Sequence, residues 1–393
     1  MRTFLLLVAL AARAPAWQPR HAAAMGTHRD AIVPRSAPVL AASAAKGFGG
    51  GKGQARAPPP ARAPPPSPAT QAAPVAPDLR QIVSSLDEEQ DVFWQLIPHI
   101  LRSDPQLGGA DIARVQALIE WSRGNTAIAE ADPAWQALVA EPFRPEEEVH
   151  AYLPGIAASA WHEPCDFKFA SALEAHYEEI AAEFQALLSS DAAAAAFQHV
   201  TELNYAAGWK TMVLCYNGGK IAQFPYHLCP VTAAILDTVP VAGRIAGFNR
   251  QLPRSGIPMH TDGNNMWLTL QMGISLPKAV GRGAASTDAS LPQRPWIRVG
   301  GEARHWDEGK CLVYDTTFQH ETFNPSADGE RVVLHVDFWN AVSTRVEGAR
   351  HAAAAAGALS DDELLAMQKL YALREQFLKA EGVGAVAEQR LGR

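Results

Sequence analysis

Hydrophobic positions follow two different periods along the chain, and the change comes near Trp209. Before it, apolar residues recur every three to four positions, as on one face of a helix. The segment DIARVQALIEW places Ile112, Val115, Leu118 and Ile119 on one face. The segment DFKFASALEAHYEEIAAEFQALL repeats this spacing at Phe169, Leu173, Tyr177, Ile180, Phe184 and Leu187. Both segments are therefore predicted to be amphipathic helices.

After Trp209, short apolar runs bounded by turn residues predict β-strands. The runs are KTMVLCYNGGKI, RIAGFNRQL, MWLTLQMGISL, WIRVGGEARHW, KCLVYDTTF and RVVLHVDFW. No helical pattern separates them, which favours an antiparallel sandwich or jelly roll, a mainly β fold. The tail SDDELLAMQKLYALREQFLKA begins with a capping box from Ser360 to Glu363 and predicts a closing helix.

Composition divides the chain into five parts. Residues 1–16 combine Arg2 with an apolar run too short to span a bilayer, which is typical of a cleavable signal peptide. Residues 17–77 carry seven Lys or Arg and one acid, are rich in Pro, Ala and Gly, and are predicted to be disordered. A helical region at 78–148, the strand-rich core domain at 149–345 and a helical tail at 346–393 follow.

The order of the first two parts predicts a destination. A signal peptide followed by an acid-poor basic segment resembles the bipartite plastid presequence of algae with complex plastids, in which an aromatic residue, here Trp17, follows the cleavage site. We therefore expect import into a plastid. Secretion or residence in the endoplasmic reticulum is the alternative. No stop-transfer run follows, so the mature chain is expected to have no transmembrane segment.

Charge and cysteine content exclude several classes of function. With 34 Lys and Arg against 41 Asp and Glu, the net charge is −7, and the folded part has no basic block of the kind that binds nucleic acid. The four cysteines show no C-x-x-C pairing. Neither a zinc knuckle nor a disulfide framework is indicated, and the cysteines are expected to be small buried residues.

The pattern His-x-Asp suggests a metal site, but it occurs four times. The occurrences are at 28–30, 260–262, 305–307 and 335–337. A mononuclear Fe(II) centre that activates O₂ needs two imidazoles and one carboxylate, so a second histidine must come from elsewhere in the chain. His260 and Asp262 meet this need, because His320 follows about 60 residues later, after several predicted strands. It comes at the end of the strand-like run CLVYDTTF.

The other three pairs lack such a context. The first lies in a segment that is expected to be removed, and the third lies on a predicted exposed hairpin. The fourth is followed only by His351, in an Ala-rich stretch with no strand. The spacing therefore favours His260, Asp262 and His320 as the metal ligands.

Arg331 adds a second element to the site, because it opens the strand that follows His320. A guanidinium group binds a carboxylate through two parallel, charge-assisted hydrogen bonds, as the distal carboxylate of 2-oxoglutarate requires. Arg331 therefore predicts a 2-oxoglutarate site beside the metal. His335 faces the same side of this strand. It lies either near the cosubstrate or in the packed core, and both alternatives stay open.

The segments around these residues resemble a known family. GFNRQLPRSGIPMHTD, MGISLP and the run from WIRVGG to VDFW resemble the aspartyl/asparaginyl β-hydroxylase family of Fe(II)/2-oxoglutarate-dependent dioxygenases, over about 152–339. The resemblance implies a double-stranded β-helix core with helices before and after it. It implies iron binding by His260 and His320 and a salt bridge from Arg331 to 2-oxoglutarate. It further implies that Trp209 and Asn249 line the cosubstrate pocket.

Two positions depart from the animal members of this family. Asp262 stands where those enzymes have glycine, so the chain resembles the complete triad of the wider superfamily. Gln271 stands where they use a histidine to hold the cosubstrate, and its amide can also donate a hydrogen bond to a carboxylate.

The resemblance implies an enzyme that uses Fe(II), 2-oxoglutarate and O₂ to hydroxylate a C–H bond. The expected substrate is an aspartyl or asparaginyl residue of a peptide, a free amino acid or a lipid acyl group. Two alternatives remain at this point. One is a non-catalytic jelly-roll protein that binds a metal, and the other is a cupin-type metalloenzyme that does not use 2-oxoglutarate.

Overall fold

The structure is a computed structural model. It describes residues 92–125, 127, 153–190, 197–198, 208–262, 264–277, 294–349 and 351–380. The predicted signal peptide, the predicted disordered segment at 17–77 and the two flanks of the predicted helical region, 78–91 and 128–148, lie outside these residues. Within the described part, no helix is both long enough and apolar enough to cross a membrane.

The described residues form six α-helices and twelve β-strands. The helices are α1 (Val92–Ser103), α2 (Ala113–Ser122), α3 (Lys168–Ala175), α4 (Tyr177–Leu188), α5 (Pro230–Leu236) and α6 (Asp361–Ala380). The strands are β1 (Trp161–His162), β2 (Phe197–Gln198), β3 (Trp209–Tyr216), β4 (Gly219–Lys220), β5 (Val241–Gln251), β6 (Ser255–His260), β7 (Trp267–Ser275), β8 (Trp296–Val299), β9 (Glu302–His305), β10 (Cys311–Tyr314), β11 (His320–Asn324) and β12 (Arg331–Trp339).

The strands form two antiparallel sheets. The large sheet has the order β1-β10-β7-β12-β5-β3-β2 with β4 beside β3, and the small sheet has the order β6-β11-β8-β9. The sheets pack face to face, since Tyr314 and Val333 of the large sheet share one apolar cluster with Ile297 and Val299 of the small sheet. This is the predicted mainly β, double-stranded β-helix core, and the prediction is confirmed.

Strand β12 separates an apolar face from a polar one. Val332, Leu334, Val336 and Phe338 pack into the core that also contains residues of α3, α4 and α5. Side chains alternate across a strand, so Arg331, Val333, His335 and Asp337 point to the interior between the sheets. The large sheet therefore buries its apolar side against helices and directs polar side chains into the interior.

A second core joins the N-terminal and C-terminal helices to one end of the large sheet. The predicted face of α2 is confirmed, because Ile112, Val115, Leu118 and Ile119 are all buried in this core with residues of α1 and α6 and with Trp267 and Trp339. The predicted capping box is also confirmed. The backbone N–H of Ser360 donates to Glu363 at 2.9 Å, and the N–H of Glu363 donates to the Ser360 hydroxyl at 3.2 Å.

Two predicted elements differ from the structure in their limits. The single long helix predicted before the strands is divided at His176 into α3 and α4. The strand predicted over KCLVYDTTF ends earlier, at Tyr314. It ends there because the Asp315 carboxylate accepts hydrogen bonds from the N–H of Thr317, at 2.9 Å, and from its hydroxyl, at 2.6 Å, which forms a local turn in place of ladder pairing. His320 consequently begins β11 and does not end the preceding strand.

The cysteines agree with the prediction except at one position. All four are described and all are free thiols. Cys215, Cys229 and Cys311 are buried, whereas Cys165 is exposed, so the expectation that all four are buried is wrong for that residue. Cys165 lies in a short 3₁₀ turn, Pro164–Asp166, just before α3, outside both sheets.

Candidate active site

A β-bulge turns His260 toward the interior. On the facing strand β11, His320 pairs with His260 and Thr322 pairs with Ile257, so three steps along β6 oppose two steps along β11. The extra residue allows both Ile257 and His260 to face inward, while Met259 is 44% exposed. Pro258 is tolerated in the bulge because no ladder hydrogen bond is required of it there.

The two histidines are oriented in the same way. His260 Nδ1 lies 2.8 Å from the carbonyl oxygen of Pro258, and His320 Nδ1 lies 2.9 Å from that of Phe318. A carbonyl oxygen only accepts, so Nδ1 carries the proton in each ring and Nε2 presents its lone pair. The ring centroids are 4.1 Å apart. Backbone carbonyls thus fix the tautomer that a metal ligand needs.

Asp262 completes a cluster of three ligands. Its backbone N–H donates to the carbonyl oxygen of Thr316 at 2.9 Å, and its carboxylate lies 4.0 Å from His320 Nε2. One ligand atom each from His260, Asp262 and His320 lie within 4.8 Å of one another. No other group of this kind occurs among the described residues. Two imidazoles and one carboxylate form the donor set of non-haem Fe(II) oxygenases.

Arg331 is a buried cation whose polar atoms have no partner. The residue is 0% exposed, and Nε, Nη1 and Nη2 make no hydrogen bond. The guanidinium group packs against the rings of Trp209 and Trp306, with its central carbon 4.4 and 4.3 Å from the ring centroids. Burial lowers the pKa of Arg331 to about 9, and the nearby Tyr314 opposes this shift. A buried charge of this kind is energetically costly unless an anion binds to it. The N–H groups of a guanidinium fit the two oxygen atoms of a carboxylate.

The strands beside Arg331 bring further polar side chains to the same place. Gln251 lies opposite Arg331 on β12 and opposite Trp209 on β3. It is fully buried, and its Oε1 has no hydrogen-bond partner. Asn249, two residues earlier on the same face, is also buried, and its Oδ1 has no partner. Trp209 thus packs against Arg331, and Asn249 lies on the same face of the sheet. That the two residues line a cosubstrate pocket stays a prediction.

Gln271 forms hydrogen bonds with two neighbouring side chains. Its Oε1 accepts a hydrogen bond from Trp306 Nε1 at 3.1 Å, and its Nε2 donates to His335 Nδ1 at 3.0 Å. The amide thus contacts the tryptophan that packs against Arg331, and the predicted contact of Gln271 with the cosubstrate stays a prediction. His335, which the sequence left open, belongs to this network.

Two of the remaining His-x-Asp pairs have structural roles. His305 donates from Nδ1 to the carbonyl oxygen of Pro295 at 3.1 Å, and Asp307 forms an ion pair with Arg294 on the exposed hairpin. His335 and Asp337 bond to each other at 3.0 Å. The pair at 28–30 lies outside the described residues.

Sequence reasoning missed Trp306 and Gln251. Trp306 follows β9 in a segment without strand structure, so no periodicity predicts where its side chain points. Gln251 had a usable signal, because alternation from Asn249 places it on the same face of β5.

Comparisons with known proteins agree with the site. Residues 174–341 match the model of the family described as aspartyl/asparaginyl beta-hydroxylase. The ornithine lipid ester-linked acyl 2-hydroxylase of Rhizobium tropici is 30% identical over 181 residues, which is 45% of this chain and 59% of that protein. The aspartyl/asparaginyl beta-hydroxylase of Mus musculus is 26% identical over 195 residues, 47% of this chain and 24% of that protein.

A solved prolyl-4-hydroxylase of Pseudomonas putida aligns with 46% of this chain and 92% of its own, at 14% identity and a TM-score of 0.26. The chain spans little more than half the length of the Rhizobium protein and about a quarter of the mouse protein. His260, Asp262, His320 and Arg331 all lie inside the matched segment. The segment that contains every residue of the cluster is thus similar to the aspartyl/asparaginyl β-hydroxylase family, whose name one of these relatives carries.

Proposed function

We propose that this protein is an Fe(II)/2-oxoglutarate-dependent dioxygenase that hydroxylates a C–H bond of its substrate. The observation that carries the proposal is Arg331, a fully buried cation whose three nitrogen atoms have no partner. A protein gains nothing from such a charge unless an anion binds to it. The similarity of residues 174–341 to the aspartyl/asparaginyl β-hydroxylase family supports 2-oxoglutarate as that anion.

His260, Asp262 and His320 would hold the iron, through Nε2 of each imidazole and a carboxylate oxygen. Two imidazoles and one carboxylate are the donor set of non-haem Fe(II) oxygenases, and they would leave positions on the metal for other ligands. When bound, iron together with 2-oxoglutarate and O₂ supplies the oxidant that inserts one oxygen atom into a C–H bond, with succinate and CO₂ as co-products. The carbonyl groups of Pro258 and Phe318 keep both imidazoles neutral and aligned for this role.

Arg331 would bind and orient the distal carboxylate. The rings of Trp209 and Trp306 pack against its guanidinium group and shield it from water, and its three unpaired nitrogen atoms are available to a carboxylate. Charge-assisted hydrogen bonds are strong in such a dry setting. Asn249 and Gln251 present further polar atoms on the same face of the sheet.

The names of two relatives support two classes of substrate. One relative is named for an ester-linked acyl group of ornithine lipid, and another for aspartyl and asparaginyl residues. We propose that this protein hydroxylates either an aspartyl or asparaginyl group, in a peptide or as the free amino acid, or a lipid acyl chain.

The test is a turnover screen with Fe(II), 2-oxoglutarate and O₂ over peptides, free Asp and Asn, and acyl lipids. Succinate release together with a product heavier by one oxygen atom is expected. The His305→Ala variant, altered at an exposed hairpin histidine, serves as the matched control and should behave like the wild type.

Two other outcomes would overturn the proposal. Activity that persists without 2-oxoglutarate would indicate a cupin-type metalloenzyme. Metal binding without 2-oxoglutarate binding would indicate a non-catalytic jelly-roll protein.

We also propose that residues 1–77 direct the chain to a plastid. The support is the apolar run at 1–16 followed by the basic, acid-poor segment. Residues 1–77 fused to a fluorescent reporter, expressed in an alga with a complex plastid, should deliver the reporter to that organelle. Retention of the reporter in the endoplasmic reticulum, or its secretion, would overturn this assignment.

A further inference from the structure

The two tryptophans that cover Arg331 are held in different ways. Trp209 belongs to β3, where its backbone is paired with Gln251, and its Nε1–H donates to Thr211 at 3.2 Å. Trp306 lies between β9 and β10, outside any strand. Its indole Nε1–H donates to Gln271 on β7. The backbone therefore positions one ring, whereas a side-chain hydrogen bond orients the other.

The direction of the hydrogen bonds around Gln271 is determined by its partners. An indole N–H can only donate, so the amide oxygen of Gln271 faces Trp306. The amide nitrogen then faces His335 Nδ1, at 3.0 Å, and must donate to it. His335 Nδ1 is therefore the acceptor, and Nε2 carries the proton.

That proton reaches a buried carboxylate. His335 Nε2 lies 3.0 Å from Asp337 Oδ1, which also accepts from the Thr269 hydroxyl at 2.6 Å. Asp337 and Thr269 are 1% and 0% exposed. A continuous series of hydrogen bonds thus connects Asp337, through His335 and Gln271, to Trp306, and Trp306 contacts Arg331.

We propose that Gln271 and His335 are positioning residues that hold Trp306 against Arg331 and thereby set selectivity for a 2-oxo acid with a second, distal carboxylate. This inference rests on the proposed function. Both residues act through Trp306, because the Gln271 amide oxygen holds the indole N–H and His335 orients that amide. The guanidinium group packs against the rings of Trp209 and Trp306, and the unpaired N–H groups in its plane match a planar carboxylate. If Trp306 moves away, water reaches one face, and the same ion pair becomes weaker.

The first experiment compares two buried amides. Gln271→Leu removes an amide that makes two hydrogen bonds. Asn265→Leu does the same outside the site, where the Asn265 amide bonds the N–H and the carbonyl oxygen of Leu153, both at 2.9 Å. Both variants should lose thermal stability. Binding is measured without O₂, by calorimetric titration of 2-oxoglutarate into the Fe(II) protein.

Only the Gln271→Leu variant should bind 2-oxoglutarate more weakly, by about 2- to 13-fold, the equivalent of one ordinary hydrogen bond. A second titration uses 2-oxobutyrate, which has no distal carboxylate. Its weak binding should be the same in the wild type and in both variants. A merely structural role for Gln271 would lower affinity for both acids or for neither.

The second experiment tests whether Gln271 acts through Trp306. Trp306→Phe keeps an aromatic ring over Arg331 and removes only the N–H donor. Trp306→Phe and the double variant Trp306→Phe/Gln271→Leu should lose about as much affinity as Gln271→Leu alone, because all three lack the same hydrogen bond. His335→Leu should give a loss in the same direction but smaller, since the Gln271 amide can still face the indole.

The outcomes separate this proposal from the proposed function. If the wild type binds 2-oxoglutarate and Gln271→Leu binds it equally well, the positioning role is wrong and the proposed function stands. If the fold-loss of affinity in the double variant equals the product of the two single fold-losses, the positioning role is also wrong, because Gln271 and Trp306 would then act independently. If the wild type protein with Fe(II) does not bind 2-oxoglutarate, both proposals are wrong. If Gln271→Leu does not fold, the Trp306→Phe variant replaces it. A loss of affinity for 2-oxoglutarate but not for 2-oxobutyrate then supports the positioning role, and any other result overturns it.

Discussion

The two halves of the candidate site are built differently. Arg331 is completely buried on β12, a strand paired on both sides, between β7 and β5. The metal cluster lies on the small sheet, where the Asp262 side chain is 19% exposed and His260 is placed by a bulge. The large sheet thus provides a rigid, dry anchor, whereas the small sheet provides ligands nearer to solvent.

This difference suggests that the two halves of the site have different roles. Under the proposed function, Arg331 would bind a cosubstrate that is common to every turnover, and a rigid pocket would lose little conformational freedom when it binds. The substrate would have to reach the metal from outside, which fits the partly exposed Asp262 side chain. The variants below should therefore affect the two halves separately, and the expected effects decrease from the first to the last.

The largest effect is expected at the histidines. His260→Ala and His320→Ala should each abolish turnover, because the two remaining ligands cannot hold iron with the required face open. Turnover and iron content after gel filtration are the measurements. An active variant at either position would show that the metal is bound elsewhere.

Replacement of Arg331 should affect the other half alone. Arg331→Ala removes one partner of a buried charge pair, which costs roughly 2–5 kcal/mol and corresponds to about a 30- to 3000-fold weaker affinity for 2-oxoglutarate. Iron affinity should be almost unchanged. Titration of 2-oxoglutarate into the anaerobic Fe(II) protein, followed by its metal-to-ligand charge-transfer absorption, measures this.

The Arg331→Lys variant refines this test. A lysine restores the charge but not the planar arrangement of donors, so it should recover only part of the lost affinity. An unchanged dissociation constant in Arg331→Ala would remove the main reason for assigning 2-oxoglutarate to this protein.

Asp262→Gly should have a smaller effect, on the metal half. Loss of a hydrogen-bond partner of a metal ligand typically weakens metal affinity by about 10- to 100-fold. Loss of the ligand itself should weaken iron binding at least as much. Some hydroxylation should remain, because the family resemblance implies that animal members work with glycine at this position. Iron titration and turnover at saturating iron separate the two effects. If both are unchanged, Asp262 does not bind the metal.

The sequence predicted the principal side chains of both halves better than their surroundings. His260, Asp262, His320 and Arg331 were identified from spacing, since each is of a residue type that the chemistry requires. Short apolar runs bounded by turn residues, with no helical pattern between them, also predicted the jelly roll. The bulge at Pro258 and Met259 was not predictable, because it depends on how β6 pairs with β11, about 60 residues later.

The network around Trp306 could not be predicted for a related reason. Gln271 and His335 lie opposite each other on β7 and β12, so their contact depends on strand order and register. Trp306 reaches them from a segment without regular structure, whose path is fixed only by packing. The sequence predicted a contact of Gln271 with the cosubstrate. The structure shows that its amide also bonds Trp306 and His335.

The smallest effect is expected far from both halves, at the start of α6. Ser360→Ala removes the hydroxyl that caps this helix and should lower the free energy of unfolding by about 1 kcal/mol. Thermal or urea unfolding measures the loss. Affinities for iron and 2-oxoglutarate should stay at wild-type values, because α6 packs with α1 and α2 in the second core, away from the interior between the sheets. A weaker affinity for either ligand would mean that the helical end of the molecule is coupled to the site. The comparison of the two halves would then have to be extended to these helices.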